Sequence, residues 1–259
     1  MTNKERFKNS MPLIFLIVFV VGSWELIGFL TAVPAYLLPS PSDIGLALFA
    51  NYQLLLLHTG FTFAAVLPGL ALAVIVSPLL AIMMNRYAVL QKALYPLLII
   101  SQAVPIFAVA PLILIWFGVG LLPKILIVAL VCFFPLTVNL VEGFSQVDPE
   151  AIELMQTMKA KRTMIMRSVH LPFALPYFFS GLKIAATYSI LGAIIGEWLA
   201  AKAGLGIFML RAMHSFRTAD LFAAIIVVVT FSLALFKLVE LIGHLAMPWQ
   251  RVETDLDER

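Results

Sequence analysis

Side chains that could do chemistry are concentrated in one polar segment, residues 147–177, within otherwise strongly apolar sequence. It carries acidic and basic side chains at Glu150, Glu153, Lys159, Lys161, Arg162 and Arg167. If Pro149 opens a helix at its first position, an apolar stripe follows at helical spacing, made of Ile152, Met155, Met158, Ile165 and Val169. Such a stripe suits a groove on a soluble partner or the surface of the inner leaflet. The segment therefore predicts binding chemistry.

Glu197 is a second candidate, because a carboxylate near membrane depth is costly to bury and is often functional. It lies toward one end of the fifth apolar segment. Two interpretations are open from the sequence. Glu197 lines a transport pathway, or it has a structural role in which it hydrogen-bonds the end of a neighbouring helix or pairs with Lys202 or Arg211.

Gln102 and Pro105 mark a third candidate site. Together with Pro111 they interrupt an apolar segment, and proline removes backbone hydrogen bonds and kinks a helix. Such kinks are tolerated in membranes where neighbouring groups or water satisfy the freed carbonyls. Lining of a pathway and simple packing are both compatible with this pattern.

The sequence predicts no chemistry intrinsic to the chain. No G-x-x-x-x-G-K-[ST] phosphate loop, HExxH motif or Ser/His/Asp grouping is present. The four histidines lie in distant segments and Cys132 is the single cysteine, so we expect no metal and no cofactor. The net charge of +3 is spread beside hydrophobic segments, which is not the pattern of a nucleic-acid surface.

The composition places these residues in an all-α, polytopic membrane protein. Of 259 residues, 62% are hydrophobic and 12% charged, against roughly 25% charged in soluble domains, and the mean hydropathy is +1.03. About six segments have the length of a spanning helix: residues 12–30, 61–84, 93–117, 122–144, 174–201 and 221–247. We expect one domain over residues 1–259, with a core of about 55–247 and a polar loop of about 145–172.

The distribution of Lys and Arg predicts the orientation of the chain. Basic residues favour the cytoplasmic side of a membrane, and more of them lie in the termini and the loop of residues 142–170 than in the alternate segments. Both termini and this loop are therefore expected in the cytoplasm. The segment with Arg211 and Arg217 is an exception to the bias. We expect the first apolar segment to be retained as a helix.

The spacing within the polar loop resembles a known family signature. Glu153 is followed by Lys159 after six residues, and by Val169-His170-Leu171-Pro172 ten residues later. This is similar to the cytoplasmic signature of binding-protein-dependent ABC importer permeases: Glu-Ala-Ala, three residues, Gly, nine residues, then Ile-x-Leu-Pro. The chain also resembles the nitrate, sulfonate and taurine branch of this family, which includes carriers of thiamine-precursor pyrimidines. The segments that carry this resemblance are Trp24-Glu25, residues 38–42, Pro111 with residues 116–120, residues 147–150, residues 196–198, Gly204-Leu205-Gly206 and Pro248-Trp249.

The resemblance implies a type I ABC importer permease fold in an inner membrane. It implies two permease copies, two ATP-binding subunits at the cytoplasmic loop and an external protein that delivers a small polar solute. Gly196-Glu197-Trp198 favours the pyrimidine type. The residues expected to couple to the ATPase are Glu150, Glu153, Leu154, Met155, Lys159, Val169, Leu171 and Pro172.

The loop departs from the signature at three positions. Leu154 and Met155 replace the alanines, and Lys159 replaces a glycine that tolerates positive φ. Either the bend becomes continuous helix here or the groove on the ATPase differs.

An ion-coupled carrier and a membrane scaffold are the alternative functions. A relay of mid-membrane ionisable residues would favour the ion-coupled carrier, but the acidic residues in these spans are few and near the ends.

Overall fold

The computed structural model describes residues 3–31 and 33–249, and within these residues the regular secondary structure is entirely helical. The bounds of the helices are α1 Asn3–Leu30, α2 Pro41–Ala50, α3 Tyr52–Arg86, α4 Ala88–Gln102, α5 Ile106–Phe117, α6 Leu121–Ser145, α7 Pro149–Thr157, α8 Arg162–Ile165, α9 Leu171–Ala200, α10 Leu205–His214 and α11 Thr218–Ala246. Residues 1–2, 32 and 250–259 lie outside the described part of the chain.

Four helical segments are long and apolar enough to span a membrane: α3, α6, α11 and the continuous run Arg162–Ala200. The pair α4 and α5 adds a fifth span if it crosses as one broken unit. The apolar part of α1, Ile14–Leu30, is shorter than these segments and lies at the lower limit of the length that a spanning helix needs. Only 17% of the most apolar window of α11 is buried within the chain, so most of this helix is available to lipid or another subunit.

The third predicted span, residues 93–117, is not one kinked helix. Helix α4 ends at Gln102, α5 begins at Ile106, and the two axes differ by 103°. Pro105 lacks a backbone N–H and precedes α5 in an extended conformation (φ −61°, ψ 124°), so the helical hydrogen bonds cannot continue through it. The break is therefore a right-angled corner.

Helices α3, α6 and α9 form the centre of the molecule, with α6 packed along both of the others. Their shared core contains small and β-branched residues, among them Ala65, Val66, Val128, Ala185 and Ala193. Small side chains let helix backbones approach closely, which is the main way that helices associate in membranes. Helix α9 links the polar loop at one end of this core to α10 at the other.

Helix α2 is capped at Ser40. The Ser40 side chain accepts from the Asp43 amide, and the Asp43 carboxylate accepts from the Ser40 amide, which completes a capping box. Ser42 instead donates from its amide and hydroxyl to the Glu25 carboxylate of α1, at 3.1 and 2.7 Å. These bonds tie the first apolar helix to α2.

Candidate functional site

The polar segment begins with a well-formed short helix, as the sequence predicts. Asp148 is the N-cap of α7, and its carboxylate accepts the Glu150 amide at 2.9 Å. Pro149 occupies the first helical position, where its missing N–H has no cost. Glu150 adds negative charge to the first turn, which favours the helix dipole. The local sequence therefore fixes where α7 starts.

Helix α7 ends in a sharp bend at Lys159, which adopts the left-handed conformation with φ +58°. The Lys159 amide donates to the Gln156 carbonyl, and the Ala160 amide donates to the Met155 carbonyl. This is a Schellman motif with Lys159 at the position that usually requires glycine. The alternative of a continuous helix is wrong, because the bend is kept although the glycine is absent.

The apolar stripe of the segment is folded mostly inward, contrary to the prediction that it faces a partner. Ile152 and Met155 of α7 pack against the buried residues Val147, Ile165 and Val169. The bend at residue 159 turns α7 back on α8, so the two halves of the stripe cover each other. Met155 and Val169 thus support the segment from within.

The outward face of α7 is made of other residues. Glu150, Leu154 and Met158 are spaced four residues apart and share one face, and all three are exposed, Leu154 by 62% and Met158 by 72%. Glu153 is exposed beside them. A surface of two apolar side chains flanked by two carboxylates is therefore presented away from the bundle. We call these four residues the outer face of α7.

The end of the signature, residues 169–172, forms the joint between the polar segment and α9. Residues Met166–His170 form one π-helical turn, in which the Leu171 amide donates to the Met166 carbonyl. Pro172 has no N–H to donate to residue 168, and the wider turn accommodates that loss. Leu171 is 39% exposed while Val169 is buried. The joint is thus anchored by Val169 and presents Leu171 at the surface.

A cavity of about 430 Å³ separates this joint from the end of α3. Its lining includes Arg86 of α3 together with Arg162, Arg167 and His170. The three arginines Arg86, Arg162 and Arg167 therefore lie together at one end of the bundle. Arg211 and Arg217, the exceptions to the bias of basic residues toward the cytoplasm, belong to the α10 end of the chain.

Glu197 lies at the opposite end of α9 and is fully buried. Its carboxylate accepts the Gly206 amide at 2.7 Å and the Thr62 hydroxyl at 2.8 Å. Thr62 also accepts the Leu205 amide at 2.9 Å, and His58 Nδ1 accepts the Gly204 amide at 2.9 Å. The first amides of a helix lack partners within it, so three side chains from α9 and α3 together cap α10.

This geometry agrees with the structural interpretation of Glu197, in which it hydrogen-bonds a neighbouring helix end. It does not pair with Arg211, whose guanidinium donates to the Lys202 carbonyl at 3.2 Å. The fit is tight, because a Cβ on Gly204, where φ is +131°, would lie 2.1 Å from the Glu197 carboxyl carbon. Thr62 and the role of His58 were not predicted from the sequence, although their four-residue spacing places them on one face of α3.

The corner between α4 and α5 borders a cavity of about 710 Å³, where Gln102 and Pro105 lie as lining residues. Helix α6 contributes Phe134 and Asn139, and α9 contributes Tyr188. The structure thus brings Gln102 and Pro105 together but places Glu197 elsewhere. Asn139 and Tyr188 were not predicted, although polar side chains inside spans are a general signal of function.

The sequence of residues 69–251 matches the family described as the binding-protein-dependent transport system inner membrane component. The chain belongs to this family. The permease is 34% identical to the formylaminopyrimidine transport permease protein ThiX of Halalkalibacterium halodurans, over 96% of this chain and 99% of that protein. It is 35% identical to the riboflavin transport system permease protein RibX of Chloroflexus aurantiacus, over 93% and 89% of the two chains.

A solved structure has the same fold as the permease. A chain in the crystal structure of an amino acid ABC transporter with histidines superposes with a TM-score of 0.62 and 16% identity. The match covers 77% of the permease and 97% of that chain. Family and fold together confirm the sequence predictions of a type I permease fold and of an ABC importer permease subunit.

Proposed function

We propose that two copies of this permease form the membrane path of an ATP-driven importer. Two ATP-binding subunits dock on the polar segments and hydrolyse ATP, and a binding protein on the other side delivers the solute. The observation that carries this proposal is the outer face of α7. It exposes apolar side chains on a short, rigid helix in a chain whose family works with an ATPase and a binding protein.

The docking surface is the outer face of α7, with Leu171 nearby at the joint. Leu154 and Met158 are apolar anchors of the kind that a groove on a soluble domain accepts. Glu150 and Glu153 flank them and offer charge complementarity to basic residues on the partner. Lys159 holds the bend, so its role in coupling is to fix the angle of α7 rather than to enter the groove.

The π-helical turn and the joint, together residues 166–172, would convert docking of the ATP-binding subunit into movement of the helix bundle. The run Arg162–Ala200 is one membrane-length segment, and its far end is tied to α3 and α10 through Glu197. A displacement of α7 on the ATPase would therefore reach the opposite end of the bundle as a rigid-body rotation. Rotations of this kind between two packed states produce alternating access.

The proposed orientation places the polar segment in the cytoplasm. The cluster of Arg86, Arg162 and Arg167 at that end supports it through the preference of basic residues for the inner side. The apolar windows of α3 and α11 are 28% and 17% buried, which supports a second permease copy packed on part of this surface. Cytoplasmic termini belong to the same proposal.

The solute is proposed to be a small nitrogen heterocycle. The relatives with the highest identity reported above are named for formylaminopyrimidine and riboflavin, both of which carry a nitrogen-containing aromatic ring. Their similarity extends over nearly the full chain, so it includes the helices that would line the path. Sulfonates, taurine and nitrate, which the sequence also suggested, are the competing solutes.

Co-purification tests the assembly. The permease is expressed with a candidate ATP-binding subunit and a candidate binding protein from the same genome, and the membrane complex is isolated through a tag on the permease. We expect two permease and two ATP-binding chains by native mass spectrometry, and faster ATP hydrolysis when loaded binding protein is added. A permease that retains no ATP-binding subunit, yet carries solute along an ion gradient, would establish a secondary carrier instead.

A further inference from the structure

We propose that the cavity at the corner between α4 and α5 is an intramembrane substrate site that selects an uncharged, planar, hydrogen-bonding ring. The inference rests on the proposed function, and it assigns the substrate contacts to Gln102, Asn139 and Tyr188. Four helices contribute to the cavity: the end of α4, the start of α5, and one face each of α6 and α9. We call it the corner cavity.

The backbone around Pro105 is the first reason to place a ligand here. Non-helical backbone at membrane depth is tolerated where it is buried in protein or lines a cavity, and broken helices often build the binding sites of transporters. The corner turns by 103°, and Ser101, Val104 and Pro105 lie directly on the cavity wall. The chain thus exposes irregular backbone where a solute could use it.

Unused hydrogen-bonding capacity is the second reason. The Asn139 amide nitrogen donates to the Pro135 carbonyl at 2.7 Å, which fixes the side chain and leaves its oxygen without a partner in the described chain. Gln102 is exposed and Tyr188 is 49% exposed, and neither the Gln102 amide nor the Tyr188 hydroxyl has a hydrogen-bond partner among residues 3–31 and 33–249. A side-chain amide presents a donor beside an acceptor, which complements an amino group beside a ring nitrogen.

The shape and size of the corner cavity suit a planar ring. Its volume of about 710 Å³ lies within the range of roughly 300–1,000 Å³ that is usual for small-molecule sites. Phe134 and Tyr188 supply aromatic faces from α6 and α9, and aromatic groups stack favourably on one another. Apart from Ser101, Gln102 and Asn139, the rest of the wall is aliphatic, as expected of a site in which a few polar groups set orientation.

The absence of charge in the described lining decides the solute class. None of the residues that line the corner cavity is acidic or basic. Lys183, one residue before the lining residue Ile184, has its ammonium 5.7 Å from the Phe236 ring of α11 instead. An anion moved from water into this site would meet no counter-ion, which strongly disfavours it. The start of α5 adds amide donors, but a helix end carries only about half an elementary charge.

Two-fold pairing would not alter this conclusion. If the two corner cavities meet on the two-fold axis, a second permease copy would bring the same side chains to them, so the shared cavity would gain further amide and phenol groups and no charge. Sulfonates and nitrate, which need positive partners, are therefore rejected at this point. Neutral heterocycles would instead form hydrogen bonds with the amide and phenol groups along the path.

The test measures ligand binding by the whole permease–ATPase complex in lipid nanodiscs, without the binding protein. The probes are tritiated formylaminopyrimidine and riboflavin, and ethanesulfonate serves as the anionic competitor. We expect at least one ring probe to bind and ethanesulfonate to leave it bound. Gln102→Leu and Tyr188→Ala should each weaken binding by about fivefold or more, while Tyr188→Phe, which keeps the ring, loses less.

Tyr52→Ala is the matched control, because Tyr52 is 54% exposed against 49% for Tyr188 and does not line the corner cavity. It should bind the probe as the unaltered complex does, and melting temperatures identify any variant that misfolds. Displacement of the probe by ethanesulfonate, unaltered affinity in Gln102→Leu and Tyr188→Ala, or uptake without any measurable intramembrane binding would overturn the inference. Absence of ATP-dependent uptake of every solute would instead overturn the proposed function.

Discussion

At the scale of single residues, Lys159 shows how a bend is kept although the backbone of a non-glycine residue is strained there. The left-handed conformation costs an L-residue roughly 1–2 kcal/mol, and the two Schellman hydrogen bonds of residues 159 and 160 offset that cost. Packing of Met155 against the buried residues Val147, Ile165 and Val169 also stabilises the bend. The surroundings of the bend, rather than residue 159 itself, therefore determine its shape.

Replacing Lys159 by glycine should stabilise the bend. Glycine removes the left-handed strain but raises the entropy of the unfolded chain, so we expect a net gain of up to about 1 kcal/mol. Amide hydrogen exchange of residues 149–170 measures it as slower exchange. Lys161→Gly is the control, because Lys161 has φ −65°, and it should speed exchange. Equal effects of both substitutions would contradict the strain argument.

At the scale of elements, α7 divides into an inward face that stabilises the segment and an outer face that is free to dock. We expect Leu154→Asp to reduce co-purification of the ATP-binding subunit at least about tenfold, since a carboxylate replaces an apolar anchor at a desolvated contact. The melting temperature of the permease should not change, because Leu154 is 62% exposed.

Gln156→Asp and Met155→Asp complete this experiment. Gln156 is exposed on the side of α7 that lines the basic cavity, so Gln156→Asp should leave co-purification intact. Met155→Asp places a charge in the packed joint and should loosen the segment, seen as faster hydrogen exchange. If the ATP-binding subunit still co-purifies with the Leu154→Asp, Glu153→Lys double variant, the outer face of α7 lies on the inner membrane leaflet and not on the ATP-binding subunit.

The junction between α9 and α10 depends on acceptors supplied by α9 and α3. Glu197→Leu leaves the buried Gly206 amide without its acceptor, which should cost about 1–3 kcal/mol and lower the melting temperature of the purified complex. Glu197→Gln keeps one acceptor oxygen and should cost less. Arg211→Gln should change stability little, because Arg211 is exposed and its guanidinium donates to the Lys202 carbonyl at the surface. A larger loss in Arg211→Gln than in Glu197→Leu would contradict this assignment.

The sequence predicted the helices well because long apolar runs have few alternatives in a membrane. It also located the start of α7, where Asp148 and Pro149 act locally. It did not predict the 103° corner, because proline marks a break without giving its direction. It offered Glu197 as a hydrogen-bond partner of a neighbouring helix end, but it did not identify α10 or the part played by Thr62. Thr62 and Glu197 are 135 positions apart, and one sequence carries no signal of that pairing.

At the scale of the whole molecule, orientation is the first property to test. Single cysteines at positions 161 and 42, on a Cys132→Ser background, are treated in intact cells with a membrane-impermeant thiol reagent. We expect position 42 to react and position 161 to react only after the membrane is opened, because basic residues favour the inner side. Cysteines at Thr2 and Thr254, which lie outside the described residues, should behave as position 161 does. External labelling of position 161 would reverse the orientation.

ATP-dependent uptake is the direct test of the proposal that this permease serves an ATP-driven importer. The permease, its ATP-binding subunit and its binding protein are reconstituted in proteoliposomes, and entry of labelled formylaminopyrimidine or riboflavin is followed with and without enclosed ATP. We expect uptake that requires both ATP and the binding protein, that is unaffected by collapse of ion gradients, and that is lost in Leu154→Asp. Uptake that proceeds without ATP and stops when the proton or sodium gradient is collapsed would contradict the account.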